Sequence, residues 1–308
     1  MIPEAGAHGD DAMRVATALG IDVDDVVDLA QTLNPVAADA TVVLQKHLAT
    51  VAHYPDPTVA TDALARAMDV DPACLVLTNG GAEAIALIAQ ELGTGWVEEP
   101  DFSLYARHLP VLESTAGRWR SNPHNPTGRL APAAERAAVW DEAFWPITTG
   151  SWTRGDTEAG AVVVGSLTKL LACPGLRIGY VLAPDTAFAD AVRIRQPRWA
   201  VNALATAALP DLLAPVDLVR TAGQVGELRA VFAHELRTRG LAVEEADAPW
   251  VLVRHPGLRD ELARQAVLVR DCTSFGWPHV FRVATPRPEH LSRVVTAFDT
   301  ILDPETTR

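Results

Sequence analysis

A lysine stands in the string Ser166-Leu167-Thr168-Lys169, directly after the β-rich run Ala161-Val162-Val163-Val164. That order puts an amine just past the end of a buried strand. Two hydroxyl side chains flank it, and Pro174-Gly175-Leu176-Arg177-Ile178-Gly179 follows. An amine so placed is suited to form a Schiff base with an aldehyde cofactor. A surface lysine in an ordinary strand-to-loop turn has the same spacing, and S-x-x-K alone does not separate the two. Further stretches tip the balance towards the cofactor.

Leu75-Val76-Leu77 reads as a short buried strand running into Thr78-Asn79-Gly80-Gly81-Ala82-Glu83. A helix with Ile85, Ile88 and Leu92 on one face follows. Strand, glycine turn and helix N-terminus together make an anion site, because N–H groups and the helix dipole face outward there. Taken singly this signal is weak, since many such turns contain glycine. Ser121-Asn122-Pro123-His124-Asn125-Pro126-Thr127-Gly128 is more specific: two prolines and a glycine fix a turn that presents the Asn125 amide as a donor. Asp141 ends a short strand, where it can cap a helix or hold a pyridine nitrogen protonated. Glu142 beside it reads as structural. Arg177 opens a strand predicted over Arg177 to Leu182, and an arginine entering a buried strand needs an anion such as a cofactor phosphate.

Other residues have two readings. Phe102, after Pro100-Asp101, can lie on a flat ring or fill a core. Tyr54, in Tyr54-Pro55-Asp56-Pro57, is otherwise a packing aromatic in a rigid turn. A lone His8 is commonly a surface or capping residue. Arg270 and Arg282, on consecutive predicted strands, can grip a carboxylate or phosphate bidentately or form surface ion pairs.

These groups need a large scaffold. At 308 residues, 48% of them hydrophobic, the chain has enough apolar material for one large and one smaller domain. Helices are expected after Asp10 or Asp11 up to Gly20, from Thr58 to Met68 and from Asp185 to Arg195. A long helical region should follow, interrupted near Pro210 and Pro215. The last third alternates strand and helix, the pattern of a separate α+β domain. The net charge of −13 argues against nucleic acid or an anionic membrane as partner. It allows a phosphorylated small substrate held by a local arginine cluster. The unpaired spacing of Cys74, Cys173 and Cys272 predicts neither disulfides nor a metal site. The absence of a membrane-length apolar run and of a signal peptide predicts a cytoplasmic protein.

Assembled, these motifs resemble a fold type I pyridoxal 5′-phosphate (PLP) enzyme of the class I/II aminotransferase superfamily, from about Gly9 to Phe298. Within it the chain is most similar to threonine-phosphate decarboxylases of cobalamin biosynthesis, then to histidinol-phosphate aminotransferases. The softer pointers to the decarboxylases are His8-Gly9, Leu33-Asn34-Pro35, Arg198-Trp199-Ala200-Val201-Asn202 and Arg270-Asp271-Cys272-Thr273-Ser274-Phe275. The resemblance implies an α/β large domain with a central, mostly parallel sheet over residues 41–205. It also implies an N-terminal arm over 1–40 and a small α+β domain over 206–308.

The resemblance also implies roles. Lys169 would hold the cofactor and move protons, Asp141 would pair with the ring nitrogen, Asn125 would donate to the ring's phenolate oxygen, and Phe102 would stack. Gly81, Ala82, Ser166, Thr168 and Arg177 would hold the phosphate, helped by Tyr54 across a homodimer. Arg282 would bind the substrate's carboxylate or phosphate, with Arg270, His8 and Asn34 lining the same pocket. Two departures stand out. Phe144 replaces a tyrosine that donates to the phenolate oxygen in many relatives. The stretches Pro100 to Asn122 and Gly128 to Asp141 are short. The expected reaction is decarboxylation of threonine phosphate to an aminopropanol phosphate. The alternatives are an aminotransferase for a phosphorylated or acidic amino acid, and a non-catalytic binding domain descended from such an enzyme.

Overall fold

The computed structural model of the chain describes residues 1–6 and 11–303; His8 and Asp10 lie outside the described residues. The chain divides into two compact units. The smaller comprises residues 1–36, 126–129 and 223–308, and the larger residues 37–125 and 130–222. Among the described residues no helix is long and apolar enough to cross a membrane.

Strands are numbered along the chain. β1 is Val27–Asp28. The larger unit carries β2 (Leu75–Thr78), β3 (Thr94–Val97), β4 (Val111–Leu112), β5 (Arg118–Ser121), β6 (Val139–Asp141), β7 (Val162–Ser166) and β8 (Gly179–Leu182). They form one sheet in the order β2-β8-β7-β6-β5-β3-β4. β4, β3, β5, β6 and β7 run parallel, while β8 is antiparallel to both β7 and β2. Continuous apolar runs such as Val162-Val163-Val164 suit strands covered on both faces. The helix Gly80–Leu92 packs on the sheet, with Ile85 and Ile88 in a core that also holds Val76, Val164 and Val181. Leu92, expected on that face, is exposed at the helix end.

The sheet's register aligns its functional edge. Ser121 pairs with Asp141, Ser166 with Gly179, and Gly179 with Thr78. The carboxyl ends of β5, β6 and β7 therefore lie level with the end of β2 and the start of β8. In open α/β sheets this is the edge where ligands bind.

In the smaller unit, β9 (Ala242–Glu245), β10 (Trp250–Arg254), β12 (Arg270–Asp271) and β13 (Val280–Ala284) form an antiparallel sheet in the order β12-β13-β10-β9. β11 (Val267–Leu268) pairs in parallel with β1. Alternate residues Val251, Val253, Phe281 and Val283 enter a core with Phe232, Leu236, Val294 and Phe298. The other face of the same strands carries Trp250, Leu252, Arg270 and Arg282, because strand side chains alternate.

The helices Thr58–Met68 and Thr186–Arg195 lie where expected, the second capped by the Asp185 carboxylate accepting from Phe188 N–H. Other expectations need correction. The helix Ala203–Leu213 runs through Pro210. Proline removes one N–H, yet Ala205, Leu209, Leu212 and Leu213 are buried, and packing outweighs the lost bond. Asp11 precedes the helix Ala12–Leu19 without capping it. Its carboxylate instead accepts the Gly6 N–H at 2.9 Å and pairs with Arg259 at 3.3 Å.

Candidate active site

Asp141, the last residue of β6, is buried. Its Oδ2 accepts the Tyr105 hydroxyl at 2.8 Å and its Oδ1 accepts the Ala143 N–H at 3.0 Å. Burial pushes its pKa up, while the bonds from Ala143 and Tyr105 and the charge of Lys169 pull it down. Lys169 and Asp141 are thus brought within electrostatic reach of each other. Lys169 lies in the short helix Leu167–Leu170 that starts directly after β7. Its Nζ stands 5.8 Å from the centre of the Phe144 ring.

Beside Lys169, the Ser166 and Thr168 hydroxyls bond to each other at 2.8 Å. Gly81 backs onto Ser166: a Cβ at Gly81 would meet Ser166 Cβ at 3.5 Å. Gly80 has φ +77°, and a Cβ there would meet the Arg177 guanidinium at 2.5 Å. A Cβ at Gly179 would lie 2.7 Å from backbone atoms of Gly80, Gly81 and Gly165, which cannot move aside as a side chain can. Gly80 and Gly179 need to be glycine for this closeness. The result is a cradle of two hydroxyls, one guanidinium and the first turn of the Gly80–Leu92 helix. That donor set suits a phosphate.

Arg177 itself corrects the sequence reading. β8 starts at Gly179, and Arg177 sits before it in a left-handed turn with φ 57°. It is exposed, and its Nη1 donates to Pro174 O at 3.2 Å. The turn Pro174–Leu176 runs directly into Arg177, so the strand begins two residues later than expected.

Asn125 is buried, and its N–H donates to the Ser121 hydroxyl at 2.7 Å. Phe102 is half-buried and meets the Tyr105 ring edge-on at 5.7 Å between centres. Tyr54 is exposed and stacks on Trp199 at 4.5 Å. In the smaller unit, Arg270 and Arg282 occupy directly opposed positions on β12 and β13. Both are buried. Arg282 Nη2 donates to Ala30 O at 3.4 Å, and its guanidinium lies 5.0 Å from the Trp250 ring. Burial pushes its pKa down to about 10. Arg270 donates to Gly6 O at 2.7 Å and to the Ser274 hydroxyl at 2.9 Å. Asn34 is buried, with its side-chain oxygen accepting the Val36 N–H at 3.1 Å.

Tyr105 and Asp101 escaped the sequence reading. Tyr105 donates to a carboxylate 36 residues away, and Asp101 bonds Ser121 from 20 residues away.

Residues 119–298 match the family model described as aminotransferase class I and II. The chain belongs to that family. Class I and II aminotransferases use PLP, and this chain is a PLP-dependent enzyme. A threonine-phosphate decarboxylase of Salmonella typhimurium is 28% identical, covering 96% of this chain and 96% of its own length. That match runs over 361 positions against the 308 residues here, so the relative has residues this aminotransferase-family chain lacks. A histidinol-phosphate aminotransferase of Ralstonia nicotianae is 28% identical over 94% of this chain and 92% of its own. Among solved structures, the L-threonine-O-3-phosphate decarboxylase of Porphyromonas gingivalis has a TM-score of 0.78 at 25% identity, covering 90% of this chain and 99% of its own. These structures are fold type I enzymes, and the α/β architecture here is theirs.

Proposed function

We propose that the chain decarboxylates L-threonine O-3-phosphate to (R)-1-aminopropan-2-yl phosphate, a reaction of the cobalamin-biosynthesis type. The observation that carries this reading is the opposed pair Arg270 and Arg282. Like charges directly across a sheet repel. A substrate with two anionic groups, a carboxylate and a phosphate, relieves that repulsion by pairing with both guanidinium groups. The whole-length similarity to threonine-phosphate decarboxylases supports the same choice.

The glycine cradle and its donors fit the cofactor's phosphate, with Gly81, Ala82, Ser166, Thr168 and Arg177 as the residues that would hold it. When bound, PLP supplies an electron sink for the bond broken at the amino acid's α-carbon. Lys169 would anchor the cofactor by its amine and later deliver the proton that replaces carbon dioxide at that carbon. Asp141 would pair with the ring nitrogen, and its bond from Tyr105 favours the ionised form that this task needs. Asn125 would donate to the ring oxygen, and Phe102 would cover the ring. Arg282, Arg270 and Asn34 would orient the substrate and so select which α-bond breaks.

The same reading makes the working enzyme a cytoplasmic homodimer, with Tyr54 reaching the partner subunit's phosphate site. Tyr54 is 78% exposed, as such a reach requires. A fully active monomer in sedimentation contradicts it. The second reading, an aminotransferase for a phosphorylated or acidic amino acid, has support from the equally similar histidinol-phosphate enzyme. One paired assay separates them. Threonine phosphate is expected to give carbon dioxide with no glutamate when an amino donor and 2-oxoglutarate are supplied. Glutamate without carbon dioxide overturns the decarboxylase.

A further inference from the structure

The Asp101 carboxylate ties two parts of the sheet edge together. Its Oδ1 accepts the Phe102 N–H at 2.7 Å and the Ser121 hydroxyl at 2.5 Å, and its Oδ2 accepts the Ser121 N–H at 3.1 Å. The Ser121 hydroxyl in turn accepts the Asn125 N–H at 2.7 Å. A hydroxyl has one proton to give. Ser121 gives it to Asp101, which leaves its lone pair for Asn125. Each of these contacts uses Asp101 as an acceptor, and the ionised carboxylate, which carries no proton of its own, meets all three donors without competition.

We propose that Asp101 is a positioning residue that fixes Phe102 and Asn125 together, and that the cofactor site holds its shape only while Asp101 is ionised. This rests on the reading of Phe102 and Asn125 as cofactor contacts. A protonated Asp101 places a hydrogen among groups that already donate to it and weakens its hold as an acceptor. The Ser121 hydroxyl then loses its anionic anchor, and the hold on Asn125 through the same oxygen loosens.

The surroundings make this ionisation accessible near neutral pH. Burial raises the Asp101 pKa to about 7, and the negative charge of Asp141 adds to the rise, against the bonds from Ser121 and Phe102. His124 faces it with Nε2 at 3.9 Å from Oδ2, and burial holds that imidazole below its usual pKa. Tyr105 is a neutral phenol pushed up by burial and by the nearby carboxylates. Glu99 accepts the Asp101 N–H at 3.2 Å, and the charge of Arg120 couples to the Asp101 carboxylate.

The test uses the full chain, stripped of PLP and retitrated with PLP across neutral pH. The dissociation constant is read from quenching of protein fluorescence, and each variant's fold is checked by circular dichroism. For the wild type, binding should tighten as pH rises through the Asp101 midpoint. Asp101→Asn keeps the shape but loses an acceptor. It should weaken PLP binding roughly tenfold above that midpoint and flatten the pH profile. Ser121→Ala, which cuts the link to Asn125, should flatten it too, and it decides the matter should Asp101→Asn fail to fold. Asn125→Ala and Phe102→Ala run in parallel. If these two weaken PLP binding while Asp101→Asn and Ser121→Ala keep wild-type affinity and profile, the positioning role is wrong and the cofactor reading stands. If Asn125→Ala and Phe102→Ala also change nothing, the cofactor reading of those residues falls first. A uniform loss in Asp101→Asn with the pH profile intact overturns the ionisation part.

Discussion

The two sheets hold their charged groups in opposite ways. At the functional edge of the seven-stranded sheet, two buried carboxylates are surrounded by donors. Asp141 has Tyr105 and Ala143, and Asp101 has Ser121 and Phe102. The four-stranded sheet keeps Arg270 and Arg282 inside the sheet, buried and opposite each other. The first arrangement is satisfied by the protein's own hydrogen bonds. The second sets two arginines at opposed positions, each held by oxygen acceptors: Gly6 O and the Ser274 hydroxyl for Arg270, Ala30 O for Arg282. On the proposed function, the edge would hold the cofactor and the arginine pair would bind the substrate's anionic groups.

Lys169→Ala probes the edge and should have the largest effect. It is expected to lower turnover by about a thousandfold, within the usual range for a positioned acid–base group, and to release PLP on dialysis. Retained turnover with a fully dialysable cofactor would break the assignment. Arg282→Met probes the face. We expect kcat/KM to fall by about a hundredfold, as for loss of a buried charge-paired contact, while PLP affinity stays at the wild-type value. The melting temperature of the substrate-free protein should hold or rise, because one of two opposed charges is gone. Equal loss of cofactor and substrate binding would mean the two regions are not separate in function.

The smallest effect sharpens the comparison through pH. Glu142 is fully buried next to Asp141, and burial raises its pKa from 4.5 to about 7. The folded state therefore holds this proton more tightly than the unfolded chain. The stability it contributes is present below about pH 4.5 and is lost as pH rises through about 7. Chemical denaturation at several pH values should show that decline, and Glu142→Gln should flatten it. Asp101 acts in the same direction, so an unchanged slope in the double variant with Asp101→Asn would rule out both acids as its source.

Much of the edge was legible because it is local. A strand end, a glycine turn and a proline-fixed loop are set by neighbours in sequence, so Lys169, Gly81, Asn125 and Asp141 could be read in place. Arg177 was found but its setting was misread. The residue sits in a left-handed turn, and no apolar alternation reports where the following strand starts. Pro210 was read as a break, because propensity cannot weigh the burial that holds its helix together. Of the two stretches expected to be short, residues 129–138 contain no helix or strand, whereas Pro100 to Asn122 holds the helix Leu104–His108 with β4 and β5.

The sequence by itself determined the cofactor chemistry and the family, since reactive side chains and the turns that expose them recur at fixed short spacings. Tertiary structure alone decided the rest. Strand register put Arg270 opposite Arg282 and Ser121 beside Asp141, and a one-residue slip would have turned each to the other face. Chain folding brought the Tyr105 hydroxyl to Asp141 and the Asp101 carboxylate to Ser121. Hydrogen bonds across tens of residues leave no periodic trace, because nothing in the intervening chain has to match them.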